Sequence, residues 1–542
     1  MAYNAQQNYY QHPYGASEAT LAHHPYVASE ATLAQYPYPH HDAQYQDAER
    51  GMSEVVIHSS LQRSGSNNSN HSTATLIGEK SEKKNSFDKS LPDLAVEVST
   101  RTEKPKPSAP APKIKISKWT LWQLWFNTYR KFFVLTTVMN GIFIFMAIAD
   151  RFPYAKNHLG ALVLGNLLTA ILVRNEIFGR FLYLIVTCLF AKWTPLFFRL
   201  GCTSVLQHLG GVHSGCSLSA LAWLIFKLVD IIRLHGTSHP AVIATGIITA
   251  LLLSISIAAA LPFVRNNHHN TFERWHRFCG WLGLAATWGF VIMGNAYNPE
   301  TKTWTTDAAR LMSSQEMWFT IFITIFVLLP WVCVQKVEVE VEIPSAKVAV
   351  LKFKGGMQHG LLGRISHSAV MEYHAFGTIS ESMFADHHYM ICGVQGDFTR
   401  SLVEKIPRHI WTRRVRFAGV SNTSSIYRRG IRVCTGTGLG AALSTCIQEP
   451  GWFLIWVGSD QEKTFGKTIS ELIYRNIGPE RRILWDSKKE GKRPDLLKLV
   501  TDAYYDWRAE VVMITSSGAG NTELMQGLKQ QGVPAFGTLW DF

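Results

Sequence analysis

Apolar positions run in long blocks through the middle of this chain and alternate with polar positions only toward its end. Six apolar stretches lie near residues 131–149, 158–173, 212–232, 240–264, 276–294 and 317–334. They approach the roughly 20 residues that a helix needs to cross the hydrocarbon core of a bilayer. After the sixth stretch the period falls to two. Val337, Val339, Val341 and Ile343 alternate with Glu338, Glu340 and Glu342, the signature of a half-buried strand. Short β-like runs follow at Val348–Phe353, Tyr389–Val394 and Val415–Val420, predicting a small barrel over residues 335–430. From Ile431 the pattern becomes strand, turn, helix, repeated, with strands at Ile431–Cys434, Trp452–Val457, Arg482–Trp485 and Val511–Thr515. That alternation predicts a parallel α/β domain over 431–542. The expected fold is therefore a multi-pass α-helical membrane bundle of about six spans over 118–334, followed by a β-barrel and an α/β nucleotide-binding domain.

Residues 1–117 are polar and Pro-rich, and are expected to form a disordered cytosolic tail. The unit His12–Ala22 recurs as His24–Ala34, too short and polar to build a solenoid. The sequons at Asn67 and Asn70 are expected to go unused on the cytosolic side. The formal charge of +13 is concentrated beside alternate loops of the bundle. Lys113, Lys115, Lys118, Arg130 and Lys131 precede the first stretch. Arg174, Arg180, Lys192 and Arg199 lie between the second and third, Arg265, Arg274 and Arg277 between the fourth and fifth, and Lys336, Lys347, Lys352 and Lys354 after the sixth. Both termini are thereby expected on the cytosolic side, with the plasma membrane as the favoured location and the lipid bilayer as a partner. No basic stripe with interleaved aromatics marks a nucleic-acid surface. Eight cysteines without a C-x-x-C pair exclude a disulfide framework. The N-terminus lacks a signal-peptide pattern.

The Gly-rich run Thr435-Gly436-Thr437-Gly438-Leu439-Gly440 follows a strand and opens a helix. Glycines there let backbone approach a pyrophosphate, and the helix N-terminus attracts its charge. The alternative is a tight strand-to-helix turn with no ligand. Asp460, just after the second α/β strand, is placed to accept a ribose hydroxyl and would favour NADH over NADPH. Glu372–Ser380 resembles the His-Pro-Phe-Ser/Thr flavin motif of ferric reductases and NADPH oxidases. Gly396–Leu402 is similar to the Gly-Asp-Trp-Thr run of those enzymes, and Lys492–Leu496 to their Gly-Arg-Pro-Asp segment. The chain ends in Leu539-Trp540-Asp541-Phe542, and an aromatic terminus over the flavin ring is common there. Across residues 130–542 the chain looks most similar to fungal TmpA-like integral membrane flavoproteins.

The resemblance implies a ferredoxin-reductase-like barrel and nucleotide domain holding FAD and NADH or NADPH. It implies that Phe376 lies on the isoalloxazine face, that Thr378 bonds the ring near its reactive nitrogen, and that His374 and Arg400 meet phosphate charge. Phe542 would cover the opposite ring face, where nicotinamide stacks, and Ser516, Ser517 and Gly518 would form the nicotinamide-contacting turn. The sequence departs from the pattern at Ala375, Gly377, Leu443 and Ser516, and lacks the Gly-Pro-Tyr-Gly element near 418–428. Such reductases carry two haems, each between a histidine of the third span and one of the fifth, with the two histidines of a span ~13 residues apart, or roughly 20 Å along a helix. His213 and His276 occupy first positions, but Phe226, Lys227, Trp288 and Gly289 stand where second histidines belong. At most one haem b is therefore implied, and full transmembrane electron transfer is not expected. The expected function is a membrane-anchored flavoprotein oxidoreductase. It would pass electrons from NAD(P)H through FAD to an unknown acceptor on the cytosolic side or in the membrane. The alternative is an inactive reductase fold kept as a signalling scaffold, for example in fungal development.

Overall fold

The computed structural model describes residues 115–233, 238–370 and 372–539. The tail with its repeat and sequons, and Phe542, lie outside them. The first part of the chain is helical: α1 Lys118–Trp125, α2 Thr128–Ile148, α3 Pro153–Leu172, α4 Glu176–Leu189, α5 Leu196–Gln207, α6 Gly210–Arg233, α7 Pro240–Ala259, α8 Pro262–Asn267, α9 His269–Ala296, α10 Ala308–Met312 and α11 Gln315–Val332. A hairpin of β1 Tyr297–Asn298 and β2 Thr303–Trp304 separates α9 from α10. Five of these helices (α2, α6, α7, α9 and α11) are long and apolar enough to cross a membrane; α3 and α4, bent by 70° at Asn175, make a sixth candidate only if taken as one.

The helix starts follow local chemistry. Asn127 and Asn175 cap α2 and α4 by accepting from backbone N–H groups one turn on, and Pro153 and Pro240 begin α3 and α7, where a missing N–H costs nothing. Gly211 and Gly215, four residues apart on α6, let α2 approach until a Cβ on either would collide with the Tyr129 carbonyl or the Thr136 hydroxyl. Close backbone contact through small residues is how helices pack where the hydrophobic effect gives little between them. Outward-facing positions stay apolar: α2 buries no residue and exposes Val134, Leu135, Val138 and Ile142.

Eight strands then form two antiparallel sheets. One runs β10–β6–β9–β3, with β7 paired on β6; the other is β4–β5–β8. Their ranges are β3 Val334–Glu338, β4 Glu340–Ser345, β5 Val348–Lys354, β6 Leu361–Ser366, β7 His374–Gly377, β8 His387–Gly393, β9 His409–Arg413 and β10 Phe417–Ala418, with α12 Asp397–Lys405 across one end. Between them lies an apolar core of Ala349, Leu351, Ile365, Met390, Cys392, Leu402 and Ile410. The last part is a five-stranded parallel sheet of β11 Gly430–Thr435, β12 Trp452–Gly458, β13 Arg482–Asp486, β14 Val511–Thr515 and β15 Ala535–Gly537, in the order β13–β12–β11–β14–β15. Its helices are α13 Leu439–Gln448, α14 Gln461–Asn476, α15 Leu496–Asp506 and α16 Gly518–Gln530. The central strands are mostly apolar because both faces are covered, with Arg432 of β11 the exception among β11, β12 and β14 apart from their end residues.

The helical part and the strand-containing part are bolted together. Glu176, the first residue of α4, meets Arg364 of β6 and, at 2.8 Å, Arg413 of β9. Arg199 of α5, almost wholly buried, forms a two-pronged pair with Glu510 at 2.7 and 2.9 Å and also donates to the Ile426 carbonyl at 3.0 Å. Thr203 and Tyr427 share a 2.7 Å hydroxyl contact, and Thr120 of α1 bonds Gln530 of α16 at 2.8 Å.

Candidate functional site

In a parallel sheet the strand order reverses where consecutive connections leave in opposite directions, and the crevice outside the carboxyl ends of those strands is where ligands bind. Here that point lies between β11 and β14, paired with Cys434 opposite Thr515. Thr435, the last residue of β11, and Ser516, just past β14, bridge the two strand ends with a 2.8 Å hydroxyl contact. Gly436 follows with φ +52°, a left-handed conformation that favours glycine, and nothing lies within 4 Å of where its Cβ would be. Gly518 is equally open, whereas Gly438 is pressed against the Thr515 carbonyl. Ser517 caps α16 by accepting from Gly520 N. The predicted Gly436, Gly438, Ser516, Ser517 and Gly518 thus converge on one crevice, lined by hydroxyls and open backbone above the start of α13.

Gly440 and Thr437 turn to the barrel instead. A Cβ on Gly440 would touch Ile391 of β8 at 3.4 Å, and one on Gly393 would stand 3.0 Å from Thr437. Gly377, the residue that interrupts the expected flavin motif, is the closest joint. A Cβ there would lie 2.6 Å from Gly440 O and Ala441 Cα on α13. Beneath the crevice Arg432 is fully buried, donating to Ala441 O at 2.8 Å and Thr515 Oγ1 at 3.3 Å, while its Nε has no partner. Burial lowers its pKa.

The barrel edge facing α13 carries the other predicted group. His374 stacks on Phe398 at 4.2 Å with an interplanar angle of 24°, and Phe376 lies 6.4 Å from the same ring. His374 Nε2 is buried without a hydrogen-bond partner. Desolvation holds its pKa below the ordinary histidine value, against the pull of Glu372 and Glu273. Glu273 belongs to α9, so this edge adjoins the end of the helical bundle. Thr378 is buried, and its hydroxyl already donates to Leu361 O at 2.8 Å. Arg400 lies exposed on α12, 3.8 Å from Asp397. Asp460 adopts φ +54° and pairs with Lys488 at 2.5 Å, while Asp486 accepts from the backbone of Asp460 and Gln461 and so fixes the start of α14.

In the bundle, His213 and His276 come together with ring centroids 6.4 Å apart, edge to face. His213 Nδ1 meets Ala170 O at 2.9 Å and His276 Nδ1 meets Ser256 O at 3.0 Å. Among the described residues no group of three or more metal-ligating side chains occurs. Sequence reasoning missed Arg432, Gly377 as a joint, and the acidic partners Glu176 and Glu510. A buried arginine inside an otherwise apolar strand, Ile431-Arg432-Val433, was the one visible signal.

Residues 420–542 match a family model described as the C-terminal domain of adenylate-forming reductase 03009. Two curated proteins of Coprinopsis cinerea, adenylate-forming reductases 06235 and 03009, are each 30% identical over 77% of this chain. The chain spans 40% of the length of these relatives. An alignment of 425 residues is about twice the length of the reductase-like part, so it runs well into the helical part. Among solved structures, the ferredoxin reductase of carbazole 1,9a-dioxygenase is 14% identical over 38% of this chain and 69% of its own, with a TM-score of 0.29. Phthalate dioxygenase reductase is 10% identical over 38% and 67%, with a TM-score of 0.30. These matches correct the resemblance to ferric reductases, NADPH oxidases and TmpA-like flavoproteins: the similarity is to adenylate-forming reductases. The misleading motifs are short, and several of their glycines and hydroxyls have structural uses here. Gly377 is a packing joint and Thr378 a buried strap, roles that any barrel abutting an α/β domain requires.

Proposed function

We propose that the chain is a nicotinamide- and flavin-dependent reductase seated on a membrane-embedded helical bundle. The observation that carries this reading is the crevice at the reversal point of the parallel sheet, with open Gly436 and Gly518 beside the Thr435–Ser516 bridge. Backbone N–H groups there suit a pyrophosphate, and the two hydroxyls suit a nicotinamide or ribose oxygen. A flavin fits at the adjoining barrel edge. The buried, unpartnered His374 Nε2 offers one hydrogen bond to it, and the stacked His374–Phe398 pair offers an apolar wall. When bound, the flavin supplies two-electron acceptance from a hydride donor and one-electron release to an acceptor. The protein's part is to hold the nucleotide's phosphates at the crevice and to keep the Gly377–α13 joint closed against water. The names of the relatives support reductase chemistry; the adenylate-forming part of their names is not carried over, because the chain spans 40% of their length. Five to six long apolar helices support the bilayer as a partner. The six-span count, with α3 and α4 taken as one, returns both termini to one side, read as cytosolic, with the acceptor taken there or from the membrane.

A second reading concerns the electron path. The comparisons do not support a haem; the one observation in its favour is that His213 and His276 lie together, so that these two residues would hold it. His213 Nδ1 meets a backbone carbonyl, and His276 Nδ1 meets both the carbonyl and the hydroxyl of Ser256, contacts of the kind that orient metal-bound histidines. Two rings with centroids 6.4 Å apart leave room for one metal bonded to both.

The test is flavin retention and nucleotide binding by the purified chain. The reading expects FAD to bind, and the double variant Thr435→Val, Ser516→Ala to weaken NADH or NADPH binding by about tenfold while FAD stays bound. A preparation that takes up neither flavin nor nicotinamide would overturn it. A Soret band lost in both His213→Ala and His276→Ala would support the axial pair, and its absence from the intact chain would remove it.

A further inference from the structure

A cavity of about 230 Å³ lies inside the bundle, walled by α3, α6, α7, α9 and α11 and away from the reductase-like part. Most of its wall is apolar, with Val163, Leu164, Leu224 and Phe290 among the lining residues. Two charged groups enter it, Lys227 of α6 and Glu316 of α11. They fit because residue 160 is glycine: a Cβ there would stand 2.6 Å from both Lys227 Nζ and Glu316 Oε1. The ammonium also faces the Phe290 ring, 5.3 Å from its centroid. Thr249 and Thr287 also line the cavity, each donating its hydroxyl proton to a carbonyl of its own helix.

Charged side chains within an apolar bundle are costly, and they mark a site when something besides packing uses them. A lysine and a carboxylate serving only as a brace between α6 and α11 would close on each other. Here the two attract through charge across the gap that Gly160 leaves, and open space remains beside them. The ammonium has three donors and no acceptor, so an oxygen lone pair is its natural partner. Lys227 and Glu316 balance in charge, so a neutral occupant leaves no net charge in the bundle. The volume is about one and a half times that of an apolar cavity of roughly 150 Å³ known to take up benzene.

We propose that this cavity binds a compact, neutral, mainly apolar molecule of about bicyclic size whose carbonyl oxygen accepts from Lys227. The site is independent of the reductase reading, and nothing in its test requires a flavin or a nicotinamide.

Calorimetry on the full-length protein in detergent, with 1-tetralone and its carbonyl-free counterpart tetralin as probes, tests the proposal. Tetralone should bind saturably, and tetralin about tenfold or more weakly, the loss of one hydrogen bond to a charged donor. Lys227→Met should erase that preference, and Leu224→Trp should block both probes by filling the cavity. Absence of saturable tetralone binding, or equal binding of the two probes to the unmodified protein, would overturn the proposal without any variant. A preference that persists in folded Lys227→Met would do the same.

Discussion

Replacing Glu510 by alanine should loosen the joint between the two halves of the molecule far more than a surface ion pair would. Glu510 accepts from both Arg199 Nη atoms at 2.7 and 2.9 Å and from Arg428 N at 2.7 Å. Arg199 is 3% exposed, so the substitution strands a guanidinium away from water. Breaking a buried pair from one side costs about 3–5 kcal/mol. With an unfolding entropy of about 2.1 cal/mol/K per residue, a body of this size loses only about 1 °C per kcal/mol, so the thermal midpoint should fall by roughly 3–6 °C. Tryptophan fluorescence on heating measures it, with Lys498→Ala as a control, because the Lys498–Asp502 pair lies in solvent, where ion pairs contribute little. The pH dependence has a definite sign. Burial opposes ionisation of Glu510, yet the hydrogen bonds from Arg199 and Arg428, with their charges, hold its pKa below the ordinary value. Its stabilisation is therefore present above the unfolded carboxylate pKa and is lost as pH falls through the folded one. A Glu510→Ala midpoint within 2 °C of the control would refute the reasoning, as would an unchanged acid limb.

Further outcomes follow from the same packing. Gly377→Val should separate β7 from α13, since its Cβ would stand 2.6 Å from Ala441 Cα, and gel filtration with flavin absorbance should show flavin lost before the fold. His388, stacked on Phe353 and bonded to Gly355 O at 2.6 Å, has its pKa pushed down to about 4 by burial. The unfolded chain protonates it near the ordinary histidine pKa of ~6.5, so stability should decline between those values by up to about 3 kcal/mol. His388→Phe should flatten that decline in urea titrations, and an unchanged slope would count against the assignment.

The partition of the chain was legible because each part carries its own period. Long apolar blocks gave α2, α3, α6, α7, α9 and α11, with ends off by up to seven residues, but not α4 and α5, whose basic residues were read as loop charge; the strands near Ile431, Trp452, Arg482 and Val511 appear as β11 to β14. The alternation from Val337 to Ile343 was less faithful, because the chain passes from one sheet to the other at Val339, which turns into the barrel core. Strands β6, β7 and β9 and the short β15 escaped notice, having neither clean alternation nor a continuous apolar run. The basic residues between the second and third apolar stretches illustrate what one sequence withholds. Arg180 and Arg199 were read as charges that orient loops, yet they bind Arg416 O and Glu510, more than 200 positions away. Such a pairing leaves no local pattern. The glycines of the crevice were found because strand, turn and helix must follow one another there. Phe376 and Thr378 were found on a short motif, and their surroundings are those of packing residues: Phe376 borders the barrel core and Thr378 spends its hydroxyl on Leu361.

The most direct test of the reductase reading is an anaerobic titration of the FAD-loaded protein with NADH and, separately, NADPH, followed by the visible flavin bands. Bleaching by at least one nucleotide at stoichiometric amounts, slowed by Thr435→Val with Ser516→Ala, is the predicted result. Flavin that stays oxidised under excess of both would contradict the account.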